Sequence, residues 1–322
     1  MNIKPISNNS ISFRGHRVMG KEDIRIIPSS KPTDLEKSIE KKLDISPTPT
    51  VTKKFANGET YVNIQEDVRN KDVYLMPTTG TTVNDNLMEM YLKADAAHRM
   101  GAHKVVAILP NFPYGRQERK TEPGEPVSAR VNMALLHASG VDEIITADMH
   151  SPALQGFTRE MNMTGLTSMN AMAKYLKSKE LNNAQLVVVS PDLGGVKRAD
   201  KLAKELGCDR AIIYKDRLGH NQAKAEQLLG DVQGKDCIIY DDIIDTAGTI
   251  TEAARMLHDN GASRIFICAS HGLFNGDAIS KLKSAPIEEV IVSNSEQKPT
   301  YEKIKQVDIA DEVVGAMLNI SG

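Results

Sequence analysis

Cys237-Ile238-Ile239-Tyr240-Asp241-Asp242-Ile243-Ile244-Asp245-Thr246-Ala247-Gly248-Thr249 is the stretch on which the fold of this chain turns. Its apolar start, Cys237 to Tyr240, predicts a short buried strand. Three carboxylates follow, then a small-residue turn that opens a helix at Ile250. A strand ending in a Gly/Thr-rich turn at a helix N-terminus presents several backbone N–H groups, and these bind a phosphate. Thr246 and Thr249 add hydroxyl donors, and Gly248 lets the backbone approach closely. Asp241 and Asp242 stand at the strand's carboxyl end, where ligands bind in open parallel sheets. Carboxylates there accept hydrogen bonds from vicinal hydroxyls such as those of a ribose. One Asp would read as a helix cap. Asp-Asp-x-x-Asp-Thr-x-Gly-Thr directly after an apolar strand points instead to a ribose phosphate.

Outward from that stretch, the 322 residues are enough for two domains. A formal charge of −2 gives no basic surplus for nucleic acid, and no apolar run is long enough to span a bilayer. The N-terminus lacks a basic-then-apolar secretory pattern. Cys208, Cys237 and Cys268 have no metal or redox spacing, and two lie in apolar strands, so inert thiols in a reducing cytoplasm are expected. Residues 1–20 are polar and aperiodic and are expected to form a disordered extension.

A repeat links the two halves. Lys71-Asp72-Val73-Tyr74-Leu75-Met76 matches Lys235-Asp236-Cys237-Ile238-Ile239-Tyr240, and Gly101-Ala102-His103-Lys104-Val105-Val106 matches Gly261-Ala262-Ser263-Arg264-Ile265-Phe266, each about 160 residues on. The fold expected is therefore α/β, with one unit used twice, each a mainly parallel sheet flanked by helices. The first copy has Thr78-Thr79-Gly80-Thr81-Thr82 in place of the phosphate loop, without the carboxylates. Before it, a strand over Asp23–Pro28, a surface helix over Lys31–Leu43 and a Pro/Thr linker over Ser46–Thr52 are expected. After it, Pro110-Asn111-Phe112-Pro113-Tyr114-Gly115-Arg116-Gln117-Glu118-Arg119-Lys120 joins aromatic rings to cations, a surface for a nucleotide base and its phosphates. Asp148-Met149-His150 ends one strand, and Asp192 ends another before Gly194-Gly195. Asp192 then shares a sheet edge with Asp241, where a Mg²⁺ bridging phosphates is useful. Lys215 and Arg217, two apart on an extended segment, point to the same side; they read either as surface charges or as a clamp on a transferring phosphoryl group.

The Asp241 stretch resembles the phosphoribosyl-diphosphate signature of type I phosphoribosyltransferases and of ribose-phosphate pyrophosphokinases. From about Phe55 to Ile309 the chain resembles the second family, in order and nearly without gaps. Asn57-Gly58-Glu59 is similar to its adenine-binding turn, and Tyr114-Gly115-Arg116-Gln117 to its ATP-binding flag. Asp148-Met149-His150 resembles its Mg²⁺-ATP segment, Ser190-Pro191-Asp192-Leu193-Gly194-Gly195 its second metal segment, and Ser270-His271-Gly272 another of its segments. Phosphoribosyltransferases lack the paired ATP segments.

The resemblance implies two tandem domains like those of type I phosphoribosyltransferases. They would span residues 21–166, on the ATP side, and 167–307, on the ribose-phosphate side, with a final helix at 308–322 packing back on the first. It implies that Asn57, Gly58, Glu59, Arg116 and Gln117 bind ATP, and that His150 and Asp192 hold Mg²⁺. Asp241, Asp242, Asp245, Thr246, Ala247, Gly248 and Thr249, with Arg217, would bind ribose 5-phosphate, and Lys215 and Arg217 would be catalytic. The reaction implied is diphosphoryl transfer from ATP to the anomeric hydroxyl of ribose 5-phosphate, in a cytoplasmic homo-oligomer, a hexamer built from dimers. Other readings are a phosphoribosyltransferase or a silent regulatory subunit.

Departures from the family pattern are Asn221-Gln222-Ala223-Lys224-Ala225-Glu226 after Arg217, and Thr164-Gly165-Leu166 for an Asp-Asn-Leu. The stop at Gly322 leads to an expectation of weak response to ADP or phosphate, although Arg69 and Arg99 keep cations near that regulatory site.

Overall fold

We describe residues 20–321 of a computed structural model, leaving out 77–79, 81, 158, 180, 182–184, 217–224 and 298, and the side chains at 215, 216, 225 and 226. The expectations for residues 1–19, for Thr78, Thr79 and Thr81, for Asn221–Lys224, and for Arg217 and the Lys215 side chain lie outside the described residues.

The strands are β1 (Ile24–Ile27), β2 (Thr50–Lys54), β3 (Thr60–Ile64), β4 (Asp72–Leu75), β5 (Lys104–Ile108), β6 (Glu143–Ala147) and β7 (Asn162–Leu166), then β8 (Leu186–Ser190), β9 (Asp209–Asp216), β10 (Ala225–Leu229), β11 (Asp236–Ile244), β12 (Arg264–Gly272), β13 (Glu289–Ser293) and β14 (Ile304–Val307). The helices are α1 (Asp34–Leu43), α2 (Val83–Arg99), α3 (Ser128–Ala138), α4 (Met169–Lys177), α5 (Val196–Leu206), α6 (Gly248–Asp259), α7 (Ala278–Lys283) and α8 (Ala310–Ser321). One sheet runs β1-β4-β5-β6-β7 and is wholly parallel. The other runs β10-β9-β8-β11-β12-β13-β14 and is parallel except for the antiparallel pair β9/β10. Strands β2 and β3 form a separate hairpin.

Side chains alternate across a strand, so each run of apolar residues feeds two cores. On the second sheet Val187, Cys237, Ile239, Ile265 and Ile267 pack on one face, while Val188, Ile238, Tyr240, Phe266 and Cys268 pack on the other. Both faces are covered by helices, which is why these strands are continuously apolar rather than alternating with polar residues. Cys237 and Cys268 are buried on opposite faces, and burial pushes the Cys237 thiol up to about 12. Helix α8 closes the outer face of the first sheet, where Ile309, Val313 and Met317 meet Ile24, Tyr74 and Ile145. Tyr74, buried there, donates to Met317 O at 2.9 Å. Among the described residues no helix is long and apolar enough to cross a membrane.

The repeat extends to single hydrogen bonds. Asn70 N donates to Gly101 O at 2.8 Å, as Gly234 N does to Gly261 O at 2.8 Å. His103 N donates to Lys71 O at 2.8 Å, as Ser263 N does to Lys235 O at 2.8 Å. Gly101 (φ 83°) and Gly261 (φ 81°) end α2 and α6 in the left-handed region that glycine favours.

Several boundaries differ from the sequence reading. Strand β1 is Ile24–Ile27 rather than Asp23–Pro28, and α1 opens at Asp34 rather than Lys31 because Thr33 caps it, its hydroxyl accepting from Glu36 N. Thr50–Thr52 of the expected linker belong to β2, because Val51 and Thr52 pair with Asn63 and Val62. Strand β11 continues past Tyr240 to Ile244, since Ile243 and Ile244 still pair with His271 and Gly272 of β12. Helix α6 opens at Gly248, two residues early. Ala225 and Glu226, read as part of a departure from the family pattern, begin edge strand β10, which pairs antiparallel with β9.

One buried acid yields a stability prediction. Glu36 is fully buried and accepts from Ser29 N (3.1 Å) and Ser29 Oγ (2.9 Å). Burial pushes its carboxyl up to about 7, against the hydrogen bonds from Ser29 that favour the charged form. A carboxyl raised on folding makes the native state bind more protons than the unfolded chain, so stability falls as pH rises through the interval up to that value. Glu36→Gln keeps the shape and both Ser29 bonds. It is expected to be the more stable protein at pH 8, by up to about 3 kcal/mol, and equal to the parent near pH 4, below the unfolded value of the carboxyl. Melting temperatures of both proteins across that range check this.

Candidate active site

Carboxyl ends of parallel strands gather the charged residues. Strand β11 carries Asp241 and Asp242 towards its carboxyl end, before Ile243 and Ile244, and Asp245, Thr246 and Ala247 lead into α6. Ala247 is the N-cap and sits at φ 58°, which an L residue rarely adopts, and it makes no side-chain cap. The first N–H groups of α6 therefore have no helical partner. Gly248 has ordinary φ, and a Cβ built on it would meet nothing within 4 Å. Open space lies over the helix end, so internal packing does not demand the glycine.

The carboxylates are held from both sides. Arg198, in the first turn of α5, donates through Nη1 to Asp241 Oδ1 (3.1 Å) and lies 3.4 Å from Asp242 Oδ1. His150 Nδ1 lies 2.6 Å from Asp242 Oδ2. Asp242 N donates to Asp241 Oδ1 at 2.8 Å. Burial alone would raise Asp242, but the His150 hydrogen bond, the contact with Asp241 and the Arg198 cation outweigh it and hold Asp242 well below the usual carboxylate range. Asp241 is pushed up, by burial first and by its ionised neighbour second. The Asp242 hydrogen bond lifts His150 above its ordinary value, against partial burial.

A cavity of about 810 Å³ opens between the two sheets. Its walls include Asn111 to Gln117 and His150 from the first half and Ile243, Asn275 and Glu296 from the second. Two of these wall residues grip Asp245. Arg116 Nη1 donates to Asp245 Oδ2 at 2.6 Å, and Asn275 Nδ2 donates to Asp245 Oδ1 at 2.9 Å. Burial would raise Asp245; the Asn275 and Arg116 contacts lower it on balance. Gln117 accepts from Ser128 Oγ at 2.5 Å, at the start of α3.

The other expected site residues are dispersed. Asn57, Gly58 and Glu59 form the exposed tip of the β2/β3 hairpin, fixed by Glu59 N donating to Asn57 Oδ1 at 3.2 Å, and they do not line the cavity. Asp192 is exposed after β8, with Oδ1 accepting from Gly195 N at 2.9 Å. Lys215 stands near the end of β9. Among the described residues no three His, Cys, Asp or Glu side chains gather as a metal site.

Comparison with known proteins gives this geometry its context. The N-terminal domain of ribose phosphate pyrophosphokinase matches residues 24–140, and a phosphoribosyl synthetase-associated domain matches residues 219–321. A ribose-phosphate pyrophosphokinase of Gloeobacter violaceus is 37% identical over 308 residues, covering 94% of this chain and 92% of its own length. The chain belongs to the ribose-phosphate pyrophosphokinase family. A second member, from Aquifex aeolicus, is 40% identical over 281 residues, 87% of this chain and 89% of its own. The crystal structure of phosphoribosylpyrophosphate synthetase from Mycobacterium smegmatis superposes with a TM-score of 0.86 at 32% identity, covering 92% of this chain and 98% of that one.

Three residues at this pyrophosphokinase-type site were not singled out from sequence. Arg198 follows the Gly-rich turn after Asp192, and a lone cation in a first helical turn carries no signal of its own. Asn275 reaches Asp245 only because β12 and β11 are neighbours. Glu296 accepts from Asn111 Nδ2 (2.9 Å) and Gly80 N (3.3 Å), joining the two halves above the cavity, and burial raises its carboxyl despite those bonds.

Proposed function

We propose that the protein is a ribose-phosphate pyrophosphokinase, converting Mg-ATP and ribose 5-phosphate to 5-phosphoribosyl 1-diphosphate and AMP. The observation that carries this reading is the 2.6 Å contact between Arg116 and Asp245, which joins the segment read as ATP-binding to the loop read as ribose-phosphate-binding. The N–H groups and hydroxyls of Asp245, Thr246, Ala247, Gly248 and Thr249 hold the 5-phosphate at the start of α6. Asp241 and Asp242 accept from the ribose hydroxyls, and in doing so fix the anomeric oxygen toward the cleft. Arg116 and Gln117 orient ATP. The anomeric oxygen forms a bond to the β-phosphorus as the bond from that phosphorus to the α–β bridging oxygen breaks, and AMP leaves. Such transfers need positioning and charge neutralisation more than covalent catalysis, and Lys215 and Arg217 supply the charge.

Asp192 and His150 would each offer one ligand to a magnesium ion held otherwise by substrate phosphates and water. The cation takes one or two protein ligands and fills its shell with phosphate oxygens and water. Asp192 offers an exposed carboxylate, and His150 presents its outer nitrogen while its other nitrogen is fixed on Asp242, an arrangement suited to a metal-bound imidazole. When bound, the ion withdraws charge from the phosphates.

Residues 21–166 with α8 form the ATP-side domain in this reading, and residues 167–307 the ribose-phosphate domain. Asn57, Gly58 and Glu59 stand outside the cavity of their own chain; in this reading they serve ATP within a homo-oligomer, a hexamer built from dimers. The three free cysteines favour a cytoplasmic setting.

AMP release from ATP, measured with and without ribose 5-phosphate, tests the function. Release that depends on the sugar phosphate is expected; sugar-independent release or none overturns it. A finer test follows from the Asp245 contacts. Because this carboxylate also holds Arg116, Asp245→Ala is expected to weaken binding of both substrates, ribose 5-phosphate by at least about tenfold. Titration calorimetry with each ligand checks it.

A further inference from the structure

The seam between the two sheets holds a line of buried and half-buried polar groups, most of which the proposed transfer leaves without a role. Asp148 is at its centre. It follows β6 at φ 41°, a conformation that costs an L residue free energy and persists only where the surroundings enforce it. Its carboxylate takes four donors. Oδ1 accepts from Thr167 Oγ1 at 2.8 Å. Oδ2 accepts from Ser168 N at 2.8 Å, Ser168 Oγ at 2.5 Å and Ser270 Oγ at 2.7 Å. Thr167 and Ser168 lie on the crossover between the sheets, and Ser270 lies near the end of β12.

The residues on either side make contacts across the same seam. Ala147 O lies 3.0 Å from His271 Nε2, whose other nitrogen is 2.9 Å from Ser295 Oγ. A carbonyl can only accept, so Nε2 of His271 carries the proton and donates, and Nδ1 accepts from the Ser295 hydroxyl. Two residues beyond Asp148, His150 meets Asp242. The segment 147–150 thus touches β12 twice and β11 once, and the left-handed turn at Asp148 sends its last side chain toward the carboxylate pair.

We propose that Asp148 is a positioning residue: by fastening the end of β6 to Ser168 and Ser270, it holds the His150 ring on Asp242 and so aligns the two halves of the cleft. Asp148 lines the cavity, but three protein donors fill its Oδ2 and one takes its Oδ1, so the role assigned to it is to hold the segment rather than to act on substrate. A simple structural brace would lower stability without moving His150, and the two roles separate experimentally.

The turnover readout rests on the proposed reaction; the spectroscopic one does not. In the full chain labelled with ¹⁵N-histidine, the His150 ring is assigned by the signal lost in His150→Asn. Asp148→Ala is expected to shift the His150 ring nitrogens toward free-imidazole values and to lower turnover by about 10- to 100-fold, the usual cost of losing a group that orients a ligating side chain. Substrate affinities are expected to stay within about threefold. Asp148→Asn still accepts from Ser168 N, and Asn tolerates positive φ, so it is expected to restore the His150 signal and most of the turnover. A folded Asp148→Ala protein with an unchanged His150 signal overturns the proposal, whatever its melting temperature. If Asp148→Ala does not fold, Ser270→Ala, which removes one donor, decides it: a displaced His150 signal supports the role and an unmoved one contradicts it. Should the chain release no AMP at all, the reaction fails and the His150 signal still judges Asp148.

Discussion

Asp241→Ala is expected to weaken ribose 5-phosphate binding by at least about 100-fold, with Mg-ATP affinity held within about threefold. Asp241 is one of two carboxylates at the end of β11 and is braced by Arg198 at 3.1 Å. A charge-assisted hydrogen bond to a ligand is worth roughly 1.5–3 kcal/mol, and an aligned carboxylate can receive one from each of two hydroxyls. Alanine removes both acceptors and leaves Arg198 facing Asp242 alone, so the cation is drawn away from the sugar site. Arg116 is tied to Asp245, while the side-chain cation that braces Asp241 is Arg198 of the second half. Calorimetry with each ligand separates the two effects. Normal ribose 5-phosphate binding by the variant would show that Asp241 is only a strand-end acid.

Lys215→Ala is expected to lower turnover by at least about 10²-fold, with little change in ATP affinity. Strand β9 carries Lys215 next to its last residue, at the sheet edge where Asp192 follows β8 and Asp241 lies on β11. A cation that meets the transferring group as charge builds stabilises the transition state more than the bound substrate. Its removal then appears in kcat, while a residue that binds both states equally appears in KM. Steady-state kinetics in both substrates give the answer. A loss confined to KM would make Lys215 a binding residue.

The division between what could be read and what could not follows from range. The duplicated unit was legible because glycine corners and strand starts are local, and Gly101 and Gly261 do repeat in conformation and hydrogen bonding. The strand-to-helix turn at Asp245–Gly248 was legible for the same reason, since strand, carboxylates and helix start lie within thirteen residues. Its details were not. The left-handed residue is Ala247 rather than Gly248, and β11 runs through the carboxylates because β12 continues to pair with it. Arg198 and Asn275 join the site only through sheet order, which no local pattern encodes. Asp148 was singled out beside His150, yet its four donors come from segments up to 122 residues away. The hairpin tip Asn57-Gly58-Glu59 was legible as a turn, but its distance from the cavity depends on how β2 and β3 stand apart from both sheets.

A ³¹P NMR spectrum of the protein with Mg²⁺, ATP and ribose 5-phosphate tests the central claim most directly, because it reports which phosphorus moves. The account predicts that the ATP signals decline together while AMP and a sugar 1-diphosphate, with its two coupled phosphorus resonances, grow in equal amounts. Formation of ADP, or of AMP with free diphosphate and unchanged ribose 5-phosphate, would contradict it.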